Sequence, residues 1–85
     1  MTILEIPLNV NHPHHKQEIE LFGHTFNLEF EFFDNENFWV MHIYDEQKKA
    51  LALGIKLIPN WPLFKYKNIT FVMLGDSHLV AYESL

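Results

Sequence analysis

Between His24 and Phe32 the chain alternates without interruption. Phe26, Leu28, Phe30 and Phe32 fall on one side, and Thr25, Asn27, Glu29 and Glu31 on the other. A strand sends successive side chains to opposite faces, so this segment buries one face and wets the other. Wound as a helix, the same residues would scatter Phe and Glu around the cylinder. The segment therefore commits the chain to β-structure.

The neighbouring segments extend that pattern. Asp34-Asn35-Glu36-Asn37 is a turn, because Asp and Asn bond their own backbone and tolerate left-handed geometry. Phe38 to Tyr44 is apolar on both sides, so it is either a central strand or one whose second face meets a partner. The two strands around that turn read as a hairpin. After a polar turn at Asp45 to Lys49, Ala50 to Ile58 alternates again. Leu51, Leu53, Ile55 and Leu57 oppose Ala50, Ala52, Gly54 and Lys56. A helix capped by Asp45 competes here, and Gly54 with the strict alternation favours a strand. Pro59-Asn60-Trp61-Pro62 interrupts pairing, since Pro lacks a donor. Thr70 to Leu74 and His78 to Tyr82 pair across Gly75-Asp76-Ser77. Ile3 to Ile6 and Glu18 to Phe22 are shorter strands, and the polar stretch 9–17 reads as a loop. The expected fold is all-β. Residues 1–85 form a single domain, a small antiparallel sandwich or barrel of about six or seven short strands.

Size and composition narrow the function. A chain of 85 residues hides about 64% of its extended surface on folding, enough for one small core. Most enzyme scaffolds need about 100 to 250 residues to surround a pocket. With no Cys, disulfides, thiolate zinc sites and Cys nucleophiles are all excluded. Six Lys, no Arg and a net charge of −5 argue against nucleic acid, whose binding rests on a basic patch. No apolar run approaches the ~20 residues of a membrane span. The N-terminus lacks a basic start and a signal-like apolar stretch, so a non-secreted protein is expected.

Candidate chemistry is thin. His12-Pro13-His14-His15 could bind stray metal, but adjacent imidazoles in a loop rarely converge on one ion. His24, His42 and His78 sit on separate expected strands and read as single hydrogen-bonded histidines. Glu29 and Glu31 lie about 7 Å apart on one face, a spacing that suits paired catalytic carboxylates and equally suits any solvated strand face. Asp76-Ser77-His78 spells a triad, but neighbours on a strand point to alternate sides. The expectation is no catalytic residue, no cofactor and no bound metal.

The aromatics are more informative. Eight Phe, three Tyr and two Trp exceed what one small core readily hides. Two readings stand: bulky core filling, or anchors for a protein partner. Trp39 is assigned to the core. Trp61, Phe64, Tyr66 and Tyr44 are the partner-interface candidates.

From Phe26 onward the order of features resembles a known family. It runs as an aromatic strand, a polar turn, Phe38-Trp39-Val40-Met41-His42-Ile43-Tyr44-Asp45, then Ala50 to Leu57. A Pro-flanked segment ends at Pro62-Leu63, and a final hairpin pivots on Leu74-Gly75 before Leu79. The sequence is similar to the phage baseplate plug family of contractile-tailed cyanophages, with its Trp-x-x-x-Ile-x-Asp core followed by two glycines. Trp39, Ile43, Asp45, Gly54 and Gly75 take those positions as structural residues. The Pro- and Trp-rich stretch from Ile58 to Leu63 and the spacing after Gly75 depart from that pattern.

The resemblance implies a non-enzymatic structural protein of the virion, plugging the central hub of the tail baseplate near spike and tail tube. Hub and spike proteins would be its partners, in a homo- or hetero-oligomer, with the host cytoplasm as the place of assembly. Two other classes compete: a small acidic inhibitor or decoy that blocks a host protein, and a metal or small-ligand binder using the histidines.

Overall fold

The alternating segments become strands in the computed structural model, which describes residues 2–8, 11–75 and 78–84. There are eight: β1 (Ile3–Ile6), β2 (His14–Leu21), β3 (His24–Phe33), β4 (Phe38–Tyr44), β5 (Ala50–Lys56), β6 (Pro62–Tyr66), β7 (Ile69–Leu74) and β8 (His78–Glu83). No helix occurs among the described residues. The strands form two four-stranded antiparallel sheets, in the orders β1-β8-β7-β6 and β2-β3-β4-β5. Both sheets are open, so neither closes into a barrel.

The chain divides into two compact units, Asn9–Leu57 and the pair of segments Met1–Leu8 and Ile58–Leu85. In the 9–57 unit the register places His15, Gln17, Ile19 and Leu21 on the same face as Phe26, Leu28 and Phe30. Trp39, Met41 and Ile43 join that face from β4. Phe26, Leu28, Phe30, Met41 and Ile43 are fully buried. The long alternation read from the sequence is thus the floor of this unit's core. β4 lies between β3 and β5, and on its second face Val40 is buried while Phe38, His42 and Tyr44 are half-buried.

The other unit is built on Phe71, Ile69, Leu79 and Ala81, all at 0% exposure. Phe71 faces Ala81 across β7–β8 and Phe64 across β6–β7. Ile6 faces Leu79 and is equally buried.

Four expectations need correction. The stretch 9–17 is not loop throughout, because β2 already begins at His14. Its polar composition hid an edge strand whose inward positions, His15 and Gln17, are themselves polar (residues 9 and 10 lie outside the described part). The Pro-rich segment is not wholly irregular either. β6 starts at Pro62, where an edge strand loses nothing from a missing donor. It is the strand beyond the six or seven expected.

The simple alternation of β5 also fails. Met41 pairs with Ile55 but Ile43 pairs with Ala52, and Tyr44 pairs with Ala50. Each shift inserts one residue into β5, and each insertion reverses which face the following side chains take. Ala52 therefore takes the place expected for Leu53, and Leu53 is left 61% exposed.

Turn chemistry explains the hairpins. Phe22 (φ 53°) and Gly23 (φ 82°) are both left-handed, the geometry of a two-residue type I′ turn between β2 and β3. Phe22, expected at a strand end, is in the turn. Asp76 and Ser77, the expected β7–β8 turn residues, lie outside the described residues.

Candidate functional site

The outward face of β2-β3-β4 gathers His14, Lys16, Glu29, Glu31, His42 and Tyr44. Register sets His14 opposite Glu31 and Lys16 opposite Glu29. His14 Nε2 lies 2.6 Å from Glu29 Oε2, and the Tyr44 hydroxyl donates to Glu29 Oε1 at 3.2 Å. His42 Nε2 stands 3.5 Å from Glu31 Oε1. The His14 bond, chiefly, holds the Glu29 carboxyl below the usual glutamate range; partial burial opposes that, and Tyr44 and Lys16 reinforce it. Tyr44 is pushed up, first by burial and then by the neighbouring Glu29.

One ligand atom from each of His14, Glu29 and Glu31 lies within 4.8 Å of the others. A divalent cation could be held there, yet His14 and Glu29 are already bonded to each other at 2.6 Å. Beside them a cleft of about 410 Å³ is lined by Lys16, Glu18, Asn27, Glu29, Tyr44 and Lys48.

The histidines do not converge. His15 turns inward and stacks on Phe30, with ring centroids 5.0 Å apart. His24 lies on the inward face of β3 beside Phe26, opposite to the face of His42. His78 belongs to the other unit, where its Nδ1 meets Glu5 at 2.8 Å. Of the Asp76-Ser77-His78 triplet, the first two residues lie outside the described part.

The aromatic candidates separate by exposure. Trp61 is 65% exposed, the largest value among the exposed large hydrophobic residues. Phe64 and Tyr66 are half-buried and share the face of Phe71 and Ile69, their register partners. Tyr44 is half-buried and engaged with Glu29. The second face of β4 is partly covered from within, because Lys56 Nζ sits 4.4 Å over the Phe38 ring. Around Trp61 the structure adds residues that the sequence did not single out. Ile58 and Leu74 are 47% and 44% exposed. Their segments are tied together, since the Asn60 N–H donates to the Met73 carbonyl and the Gly75 N–H to Asn60 Oδ1. Neither residue breaks the local hydrophobic pattern, so only the tie between segments reveals them.

The motif positions have local surroundings of their own. Trp39 packs on Phe32, with ring centroids 5.1 Å apart. Ile43 is fully buried. Asp45 Oδ1 accepts the Gln47 and Lys49 N–H groups at 2.9 and 2.8 Å, closing the β4–β5 turn. Gly54 (φ 72°) and Gly75 (φ 64°) are left-handed, a conformation that costs other residues free energy. Trp39 and Ile43 thus lie on β4, Asp45 closes its turn, and the two glycines take left-handed backbone positions.

The family model described as cyanophage baseplate Pam3 plug gp18 matches residues 3–85. The chain belongs to this plug family. The match includes β1 and β2, which the motif from Phe26 onward did not cover. Neither a curated protein nor a solved structure matches the chain. As a plug-family member, the protein is a structural component of the phage tail baseplate and assembles with other baseplate proteins.

Proposed function

We propose that this protein plugs the central hub of a contractile tail baseplate, close to the spike and the end of the tail tube. In this role it performs no reaction and works through contacts with hub and spike proteins. The family match over residues 3–85 carries the reading. That match spans both compact units, with the 9–57 unit inserted between two segments of the other. This supports treating residues 1–85 as one functional module, made in the host cytoplasm and built into the virion.

The exposed group of Ile58, Trp61 and Leu74 is the surface we assign to a neighbouring baseplate subunit. Large aromatic side chains anchor interfaces because they exclude much water for little lost side-chain freedom. Phe64, Tyr66 and Tyr44, being half-buried, would line such contacts rather than anchor them.

The test is Trp61→Ala. The purified variant should unfold within about 0.5 kcal/mol of wild type, since the side chain is largely solvated. Particles assembled with it should carry much less plug, measured by mass spectrometry of purified virions. Full incorporation, or loss of incorporation that merely tracks unfolding, would overturn the assignment.

A further inference from the structure

We infer that two copies of this chain pair through the outer edge of β2, around a two-fold axis at Gln17. The inference concerns the free protein and stands independently of where the plug sits in the baseplate.

The four sheet edges differ in kind. β1 is four residues long. β5 carries two register shifts. β6 begins with Pro62 and carries another. Shortness, bulges and Pro are the devices that stop an edge from pairing. β2 has none of them. It runs eight residues with unbroken register from His14 to Leu21, and no described strand lies on its other side.

The direction of its free backbone groups follows from one hydrogen bond. The Phe32 N–H donates to the Pro13 carbonyl at 2.7 Å, which continues the β2–β3 register by one residue. Antiparallel pairs alternate between bonded and non-bonded, so the odd-numbered residues of β2 bond to β3. His14, Lys16, Glu18 and Glu20 therefore aim their N–H and C=O groups outward.

Side-chain charge then selects the partner. An antiparallel second copy centred on Gln17 sets Lys16 opposite Glu18 of the other copy, and His14 opposite Glu20. Each pairing occurs twice by symmetry. Moving the axis by one residue gives the two nearest registers that keep the faces matched. One places Lys16 against Lys16 and the other Glu18 against Glu18, and like charges directly opposite are destabilising. A shift of odd parity would set core-facing positions against solvent-facing ones. Within one chain, Glu18 and Glu20 face Asn27 and Thr25 and make no ion pair with a described residue. The second copy supplies Lys16 as the cation opposite Glu18. About eight backbone hydrogen bonds would join the copies. The contact is small, so the dimer belongs at the weak end of specific interfaces.

Sedimentation equilibrium on the full chain, from about 10 µM to 1 mM, tests this. Wild type should shift from the 10.2 kDa monomer toward twice that mass. Lys16→Glu should weaken the dimer about tenfold or more, because both symmetry-related pairs become repulsive. The double variant Lys16→Glu/Glu18→Lys should restore it. Glu18→Pro removes an N–H that points away from the sheet, so it should abolish pairing while leaving circular dichroism unchanged. A folded wild type that stays monomeric throughout overturns the inference. So does a dimer that tolerates Glu18→Pro, or one that the charge swap fails to rescue.

Discussion

The backbone N–H of Gly54 donates to Nδ1 of His42 at 2.9 Å, tying the inserted residue of β5 to the strand it bulges from. The bond requires a lone pair on Nδ1, so the neutral ring carries its proton on Nε2, aimed at Glu31. The positive φ of Gly54 and this bond together hold the first of the two shifts in β5.

Gly54→Ala isolates the conformational part of that arrangement. No heavy atom lies within 4 Å of the position a Cβ would occupy, so the cost is backbone strain alone. Urea unfolding should show a loss of about 1 kcal/mol, with Gly54→Asn losing less because Asn tolerates the left-handed region. A neutral result for Ala would mean that β5 has a second, equally stable register.

Acid should find the Glu29 network. The folded carboxyl titrates below its unfolded value, so its contribution is complete above the ordinary glutamate pKa of about 4.3. That contribution is lost as pH falls through the lower folded value. Glu29→Gln should flatten this acid limb of the stability curve. Tyr44→Phe should raise the Glu29 midpoint, read by carbon NMR of the side-chain carboxyl, because one donor to the ionised form is gone.

The β2–β3 turn can be improved. Phe22 occupies a left-handed position that suits Asn far better, while Gly23 already fills the second. Phe22→Asn creates the Asn-Gly pair that type I′ turns favour. It should stabilise the protein by about 1 kcal/mol, or roughly 4 to 8 °C in Tm for a chain of this size. A lower Tm would show that the half-buried Phe22 ring contributes more than its strained backbone costs.

Asp45 makes the sharpest local test of the family motif. Its carboxylate satisfies two turn N–H groups, and Asn27 Nδ2 donates to its carbonyl at 2.9 Å. Asp45→Ala should cost about 1 to 2 kcal/mol, as loss of a comparable cap does. Asp45→Asn should recover most of it, since a neutral carbonyl oxygen still accepts. Equal losses for both variants would show that the charge matters more than the hydrogen bonds.

Much of this fold was legible in residue order. The alternation from Phe26 to Phe32 determined a strand and its buried face, because side-chain direction along a strand is fixed by covalent geometry. The absence of Cys excluded thiol and disulfide chemistry on similarly elementary grounds. The Trp39, Ile43, Asp45 and Gly54 pattern pointed to the plug family, since those residues carry out local tasks that leave a local trace. Trp61, named from the sequence as an interface candidate, is 65% exposed.

Tertiary structure decided the rest wherever a residue's environment comes from another strand. The first half of β2 looked like loop until β3 gave its polar inward side chains, His15 and Gln17, a surface to pack on. The faces of β5 depended on two insertions that exist only relative to β4. Ile58 and Leu74 became part of one exposed group through bonds between segments far apart in the chain. Alternation records which way a side chain leaves its own backbone, and only pairing decides what it meets there.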